Sequence, residues 1–519
     1  MTELTARRRT VVLATVCLAA FAINLDTTIV NVALPDLARQ LRATTRDLQW
    51  IVDGYNLAFA ALVLTAGSLG DRFGRRPALM AGLAGFALSS GIGAVVGSAP
   101  ALVAVRFVMG VSAAVIFPTT LSIITNTFPD RRERARAIGV WGAVTGLGVA
   151  VGPITGGVLL AHFGWQSVFV ALVPVAVLAL AATWAWVPES SDASQARVDL
   201  PGLVLSSAAI GVLVYTIIEA PARGWSDAAT LTGFVATAVL VAAFVAVERR
   251  RARPMIDLTL FRTPAFSAAS ASVTVAFFAL FGFIFLVTQY FQFLRGYGAL
   301  ATGVRILPVA TTIAVGSVGG VLLAGRIGTR AVVTTGLILL GSSFGWIAVS
   351  ATFMPYSQIV GQMVLMGLGL GLTTAPATES ILSVLPPAKA GVGSAVNDAT
   401  REVGGTLGVA VLGSIFISSY AQHLAGTPFR RLPSHVVEAA QNSVAAALGT
   451  VSQTRGGRAQ QQLLDGVQAS FMSGFHLACL VATGICLLGA IGALLLPGRN
   501  PRPVAVTSVP EPATVGAGR

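Results

Sequence analysis

Lysine is nearly absent from this sequence: Lys389 stands alone beside 33 arginines. Charge of either sign is scarce, with Asp, Glu, Lys and Arg at 11% of 519 residues, whereas soluble domains carry about 25%. Hydrophobic residues reach 55% and mean hydropathy is +0.79. A soluble domain is thereby excluded, and the chain reads as an all-α polytopic membrane protein. A net charge of +13 on a soluble protein would suggest nucleic acid; here the arginines sit between apolar runs, where they report topology, and no nucleic-acid partner is expected. The three cysteines, Cys17, Cys479 and Cys486, lie inside apolar runs, so no disulfide or metal framework is implied. Four scattered histidines (His162, His423, His435, His476) argue against a metal cage. There is no G-x-x-x-x-G-K loop, which excludes ATP as the energy source, and no Ser/His/Asp set lies together. The expectation is a protein that is no enzyme and needs no cofactor.

Apolar runs are plentiful. Fourteen spans are expected, at roughly 10–34, 48–69, 77–97, 101–125, 137–160, 166–187, 200–220, 228–247, 265–293, 300–324, 331–351, 356–380, 391–417 and 470–496. No cleavable signal precedes them: the run after Arg7–Arg9 is too long and contains Asn24 and Asp26 before Pro35. An even number of spans places both termini in the cytoplasm. The expected inside segments then hold 22 Lys+Arg and the outside segments nine, as the positive-inside rule requires. Polar stretches at 188–198 and 248–264 divide the chain into a six-helix unit (1–187), a linker carrying two inserted spans (188–264) and a second six-helix unit (265–496). The loop 418–469 is expected outside, with one short surface helix over 436–448, and the tail 497–519 is expected to be disordered.

Gly67–Arg76, GSLGDRFGRR, reads as a tight basic turn on the cytoplasmic side between the second and third spans. Its counterpart is Gly325–Arg330, GRIGTR, after the tenth span, where an internal repeat would place it. Asp26 lies about halfway through the first span. A carboxylate in hydrocarbon costs at least ~3 kcal/mol, so it faces a cavity or is capped by neighbours such as Thr27 and Thr28. Arg106 in the fourth span cannot deprotonate and needs a partner; Asp26 is the natural one, backbone carbonyls the alternative. The fifth span carries Gly148, Gly152, Pro153, Gly156 and Gly157, small-xxx-small packing beside a proline. Asn24, Asp53, Tyr55, Gln289, Asp398 and Arg401 are further candidate substrate or proton positions. Asp53 reads as a wetted vestibule residue, and Asp398 with Arg401 as an i, i+3 ion pair preceding Glu402.

These motifs together resemble the major facilitator superfamily. Gly67, Leu69, Asp71, Arg72, Gly74, Arg75 and Arg76 match its signature G-x-L-x-D-R-x-G-R-R between the second and third helices. Leu25–Pro35, LDTTIVNVALP, is similar to the first-helix signature of the fourteen-helix drug/proton antiporter branch, and Arg106 with Gly110 to the fourth-helix proton-coupling motif. Gly148–Gly157 resembles the antiporter motif that uptake members generally lack. Trp50, Tyr55 and Leu57 fit the second-helix pattern, while Gln166 stands where drug-efflux members usually have Arg. The resemblance covers about residues 1–500. It implies a monomer in the cytoplasmic membrane that exchanges protons for a hydrophobic, cationic or amphipathic small molecule. Asp26 and Arg106 would couple the proton, Asp71 would meet the start of the thirteenth span, and Arg75 would lie near Asp130 or Glu133. A dedicated exporter of one metabolite, such as an antibiotic or siderophore, shares every motif. An uptake symporter is disfavoured by Gly148–Gly157.

Overall fold

The computed structural model describes residues 5–191, 199–251, 258–383, 390–454 and 456–498. Parts of both dividing segments, Lys389 and nearly all of the tail 497–519 lie outside the described residues. Every regular element among the described residues is helical, as a chain without water around its backbone requires. The long helices are α1 (Ala6–Gln40), α2 (Thr45–Phe73), α3 (Arg75–Gly93), α4 (Ala99–Thr127), α5 (Arg131–His162) and α6 (Gln166–Trp186). They continue with α7 (Leu200–Arg223), α8 (Ala228–Arg250), α9 (Pro264–Gln289), α10 (Ala299–Ile327), α11 (Thr329–Ala348), α12 (Tyr356–Ser383) and α13 (Ala390–Ala425). Two short helices, α14 (Ser434–Asn442) and α15 (Val444–Gln453), precede the last long one, α16 (Arg458–Ala493).

Among the described residues, twelve long helices are apolar enough over 18 residues to cross a membrane. α3, built largely of Ala, Gly and Ser, is not among them, and part of α2's side chains lie outside the described residues. Polar residues mark where helices begin. Thr44 and Asp47 form a reciprocal capping box at the start of α2, and Asp199 and Asp227 cap α7 and α8.

α1 packs on α5 and α6, α2 on α4, and α3 on α4 and α6. α9 packs on α12, α13 and α16, while α10 and α11 flank α12. These two groups meet through α2 against α13 and α5 against α10. The pair α7–α8 stands apart from both, with α7 lying on α2 and on α13 together. The expected single helix over 436–448 is instead two, because Ser443 leaves helical geometry (φ −151°) and its hydroxyl accepts the Ala446 amide to start α15.

Candidate functional site

α1 brings Asp26 and α4 brings Arg106 to one buried point, where their side chains are 0% and 1% exposed. Nη1 of Arg106 donates to both carboxylate oxygens, 2.8 Å to Oδ1 and 2.6 Å to Oδ2. Its Nε donates to the Ile51 carbonyl of α2 at 3.0 Å, and its Cζ lies 4.3 Å from the Tyr55 ring centre. One guanidinium thus ties three helices, satisfying both of the partners that the sequence left open. Thr27 and Thr28 donate instead to backbone carbonyls of α1, so neither supplies the Asp26 cap. Gly110 makes this possible: a Cβ there would overlap the Tyr55 carbonyl, so only glycine lets α2 and α4 close. Asn24, two residues before Asp26, donates to Ala20 O within its own helix.

The glycine run of α5 has two faces. A Cβ on Gly148 would lie 3.0 Å from Phe21 O, and one on Gly152 would overlap the Thr28 hydroxyl, both on α1. Gly156 meets Ile29 of α1, whereas Gly157 sits under Leu300 of α10. Pro153 presents its carbonyl to Gly303 of α10. A single motif therefore seals α5 to both groups of helices. Gly139, Gly142 and Gly146, nearer the start of α5, meet nothing within 4 Å.

Two glutamines, neither of them among the residues expected from the sequence, complete this seam. Gln49 of α2 donates to Val409 O, Ala410 O and Ser414 Oγ of α13 at 3.1–3.3 Å. Gln292 sits in a π-turn over Tyr290–Leu294 and donates to Val32 O of α1 at 2.9 Å. Their signal was a lone amide side chain in an apolar stretch. Gln289 turns back on its own helix, to Phe285 O. The seam contacts lie beside the α1–α2 turn, the end of α5 and the start of α10, so the two groups close on each other at that end of the molecule.

Asp53 overturns its vestibule reading. It is 0% exposed, and neither carboxylate oxygen has a hydrogen-bond partner. It lies one helical turn from Gln49 on the face of α2 that meets α13, so seam packing rather than water surrounds it. The α13 pair is present but loose, with Arg401 Nη1 4.0 Å from Asp398 Oδ1 and its guanidinium over the Phe277 ring at 4.7 Å.

The signature stretch is not the expected ten-residue turn. α2 runs on through it to Phe73, and Gly74 alone separates α2 from α3. Gly74 has φ +115°, a conformation L residues avoid, and a Cβ there would lie 2.8 Å from Glu189 Oε1. Past the turn, Arg75 N donates to Ser190 O and Arg76 Nη2 to Trp184 O, gripping the end of α6. The second half repeats the arrangement. Gly328 (φ +91°) separates α10 from α11, and Arg330 donates from N to Pro497 O and from Nε to Leu496 O, at the end of α16. In each half an arginine side chain meets a carbonyl at or just past the end of a helix, Trp184 for Arg76 and Leu496 for Arg330. Glu133, one expected neighbour of Arg75, binds Arg9 at 3.1 Å. The side chains of Gly67, Asp71 and Arg72 lie outside the described residues.

A buried carboxylate–guanidinium pair beside a glycine-lined seam between two groups of long helices defines a membrane transporter. The sequence matches the Major Facilitator Superfamily over residues 16–409, and the chain belongs to that family. It is 38% identical over 398 residues to the multidrug resistance protein Stp of Mycobacterium tuberculosis, covering 77% of this chain and 74% of Stp. It is 36% identical to the tetracenomycin C resistance and export protein of Streptomyces glaucescens, covering 97% and 94%. The multidrug efflux pump LfrA of Mycolicibacterium smegmatis is 34% identical over 94% of this chain and 96% of LfrA. Among solved structures, an inward-facing bacterial homologue of the lysosomal transporter Spinster shares the fold at 15% identity, with TM-score 0.67 over 95% and 97% of the chains.

Proposed function

We propose that this chain is a proton-coupled antiporter that exports hydrophobic, cationic or amphipathic compounds across the cytoplasmic membrane by alternating access. Relatives named for multidrug resistance and export support the cargo class. The observation that carries the coupling is the buried Asp26–Arg106 pair. A charge pair taken out of water is retained at a cost of several kcal/mol per ion unless its partner is well placed. Adding a proton to Asp26 removes one of the two charges and releases Nη1 of Arg106, so protonation reorganises the junction of α1, α2 and α4. That junction adjoins the α1 face that Gly148 and Gly152 press upon, which links proton occupancy to the seam.

In this reading all fourteen long helices span the membrane, α2 and α3 included, as six plus two inserted plus six, and the chain works as a monomer. We take both termini as inside and the closed seam as outside from the arginine distribution, and on that basis read the described state as inward-facing. Gly67–Arg76 then lies on the cytoplasmic face as a gate element. The residues at the proton and substrate centre are Asp26, Arg106, Asn24, Tyr55, Asp398 and Arg401; Asp53 and Gln289 lie beside it.

A dye-efflux and drug-susceptibility panel on overexpressing cells, paired with uptake into inverted vesicles under an imposed pH gradient, tests the reading. Export that survives collapse of the pH gradient would remove the proton. A profile restricted to one compound would favour a dedicated metabolite exporter, a reading that the Streptomyces relative supports by name.

A further inference from the structure

We infer that the outer rim of the seam binds the phosphate headgroup of an anionic lipid, which bridges α1 and α10 and holds the two groups of helices closed. The inference goes beyond the transport cycle proposed above and takes from it only which side is outside.

The ends of α1 and α5 and the start of α10 enclose a cavity of about 610 Å³, whose lining includes Asp36, Arg39, Leu160, Tyr297, Leu300 and Arg305. Each group of helices therefore supplies one wall. Arg39 of α1 is paired along its own helix with Asp36, at 2.6 Å. Arg305 of α10 meets no acid among the described residues; its Nη1 donates to the Ala301 carbonyl one turn back. Arg295 stands behind Tyr297 with a further positive charge, donating to that hydroxyl and to Met354 O. The lining thus holds two arginines against one acid, with a third arginine in support.

Arg305 is held in place for a planar anion. Its Cζ lies 4.1 Å from the Tyr297 ring centre and 5.5 Å from that of Tyr356, and its Nε is shut off from solvent without a hydrogen-bond partner. A guanidinium clamped between two rings keeps its fork aligned, and that fork matches two oxygens of one phosphate. The Tyr297 hydroxyl accepts from Arg295 at 3.1 Å and so keeps its own proton to donate. The first amides of α10, Ala299 to Ala301, line the same cavity, and Gly298 has no side chain with which to cap them.

The walls suit a lipid better than a free ion. Leu160, Leu300 and Val304 make the sides apolar, and Val304 is 47% exposed on the flank of α10. Acyl chains gain from such sides, whereas inorganic phosphate does not. The cavity also adjoins the tightest contact between the two groups, where Gly157 meets Leu300 and Gly303 meets Pro153. Arg39 and Arg305 repel each other across that line, and one bridging anion turns the repulsion into attraction to both. Opening the seam parts the two walls and destroys the site, so a bound headgroup favours the closed state.

The test uses the purified full chain, free of its native cysteines and spin-labelled at Phe163→Cys and Val349→Cys, both exposed. It is placed in nanodiscs of phosphatidylcholine alone or mixed with phosphatidylglycerol. Phosphatidylglycerol is expected to raise the short-distance population in pulsed electron paramagnetic resonance, and to be retained over phosphatidylcholine in native mass spectrometry. Arg305→Gln is expected to weaken phosphatidylglycerol about tenfold and abolish the lipid-dependent shift, while its distances in phosphatidylcholine alone stay those of the parent. Arg305→Lys, which keeps the charge without the fork, should recover part of both effects. A Gln variant that keeps the lipid and the shift overturns the proposal. So does one whose distances already change in phosphatidylcholine alone, because Arg305 would then serve the fold. Inorganic phosphate that reproduces the shift in phosphatidylcholine overturns the lipid as ligand, and a parent without any shift overturns the clamp. Arg305-dependent lipid binding and shift in a parent that exports no drug support the proposal and remove the export reading alone.

Discussion

Arg106 reaches Asp26 with Nη1 alone and spends Nε on the Ile51 carbonyl, so the pair is held from α2 as well as from the two helices that own the charges. Removing the guanidinium in Arg106→Ala leaves a buried carboxylate unpaired, a loss of about 3–5 kcal/mol for pairs of this kind. The expected outcome is a marked fall in thermal stability together with no gradient-driven export. Arg106→Lys keeps the charge but cannot hold Asp26 and Ile51 in the same geometry, and should recover stability more than transport. Equal recovery of both would mean that charge alone matters here.

Asp26→Asn cannot titrate. Substrate-triggered proton release from the purified protein should disappear in this variant while substrate binding persists. Release equal to the parent's would move coupling elsewhere, and Asp53, buried and unpartnered, would be the next residue to substitute.

Gly303→Ala puts a methyl group against the Pro153 carbonyl, where backbone faces backbone and nothing can swing aside. Gly152→Ala collides with the Thr28 side chain, which can be shortened. The Gly303 variant should shift the protein away from the closed seam, read as faster maleimide labelling of a cysteine placed at Gln49. The Gly152 variant should behave likewise and be partly rescued by Thr28→Ala. Absence of rescue would show that the α1–α5 contact is not set by that methyl group.

Topology is checked by single-cysteine labelling in a background without Cys17, Cys479 and Cys486. An impermeant maleimide applied outside should label Ala445→Cys and spare Glu133→Cys. The reverse pattern would invert the molecule and with it the inward-facing assignment.

Much of this was legible in the sequence, for identifiable reasons. Asp26 and Arg106 stood out because ionised groups in apolar runs are expensive, and each supplied the other's need. Gly148–Gly157 was legible because close helix approach demands small residues at fixed spacing. Asp53 was misread because position along a span says how deep a residue lies but not which neighbour covers it; α13 does. The signature turn shrank to Gly74 because charged residues near an interface do not break a helix, whereas a positive φ does. Gln49 and Gln292 went unweighed because an uncharged amide raises little alarm, although its unmet hydrogen bonds still have to find carbonyls.

The placement of α7 has a consequence for the joint between the two groups of helices. Its residues Val214, Ile217 and Ile218 share one apolar cluster with Leu57 of α2 and Ala410 of α13, while Glu219 holds Arg46 of α2 at 3.1 Å and Trp225, just past the helix, donates to Ser418 of α13. The α7–α8 pair is therefore fastened to both groups of helices where they meet. Excising residues 200–251 and splicing the ends would bare Leu57 and Ala410 along that joint. Any separation of the two groups there would have to break one of the two attachments that α7 makes.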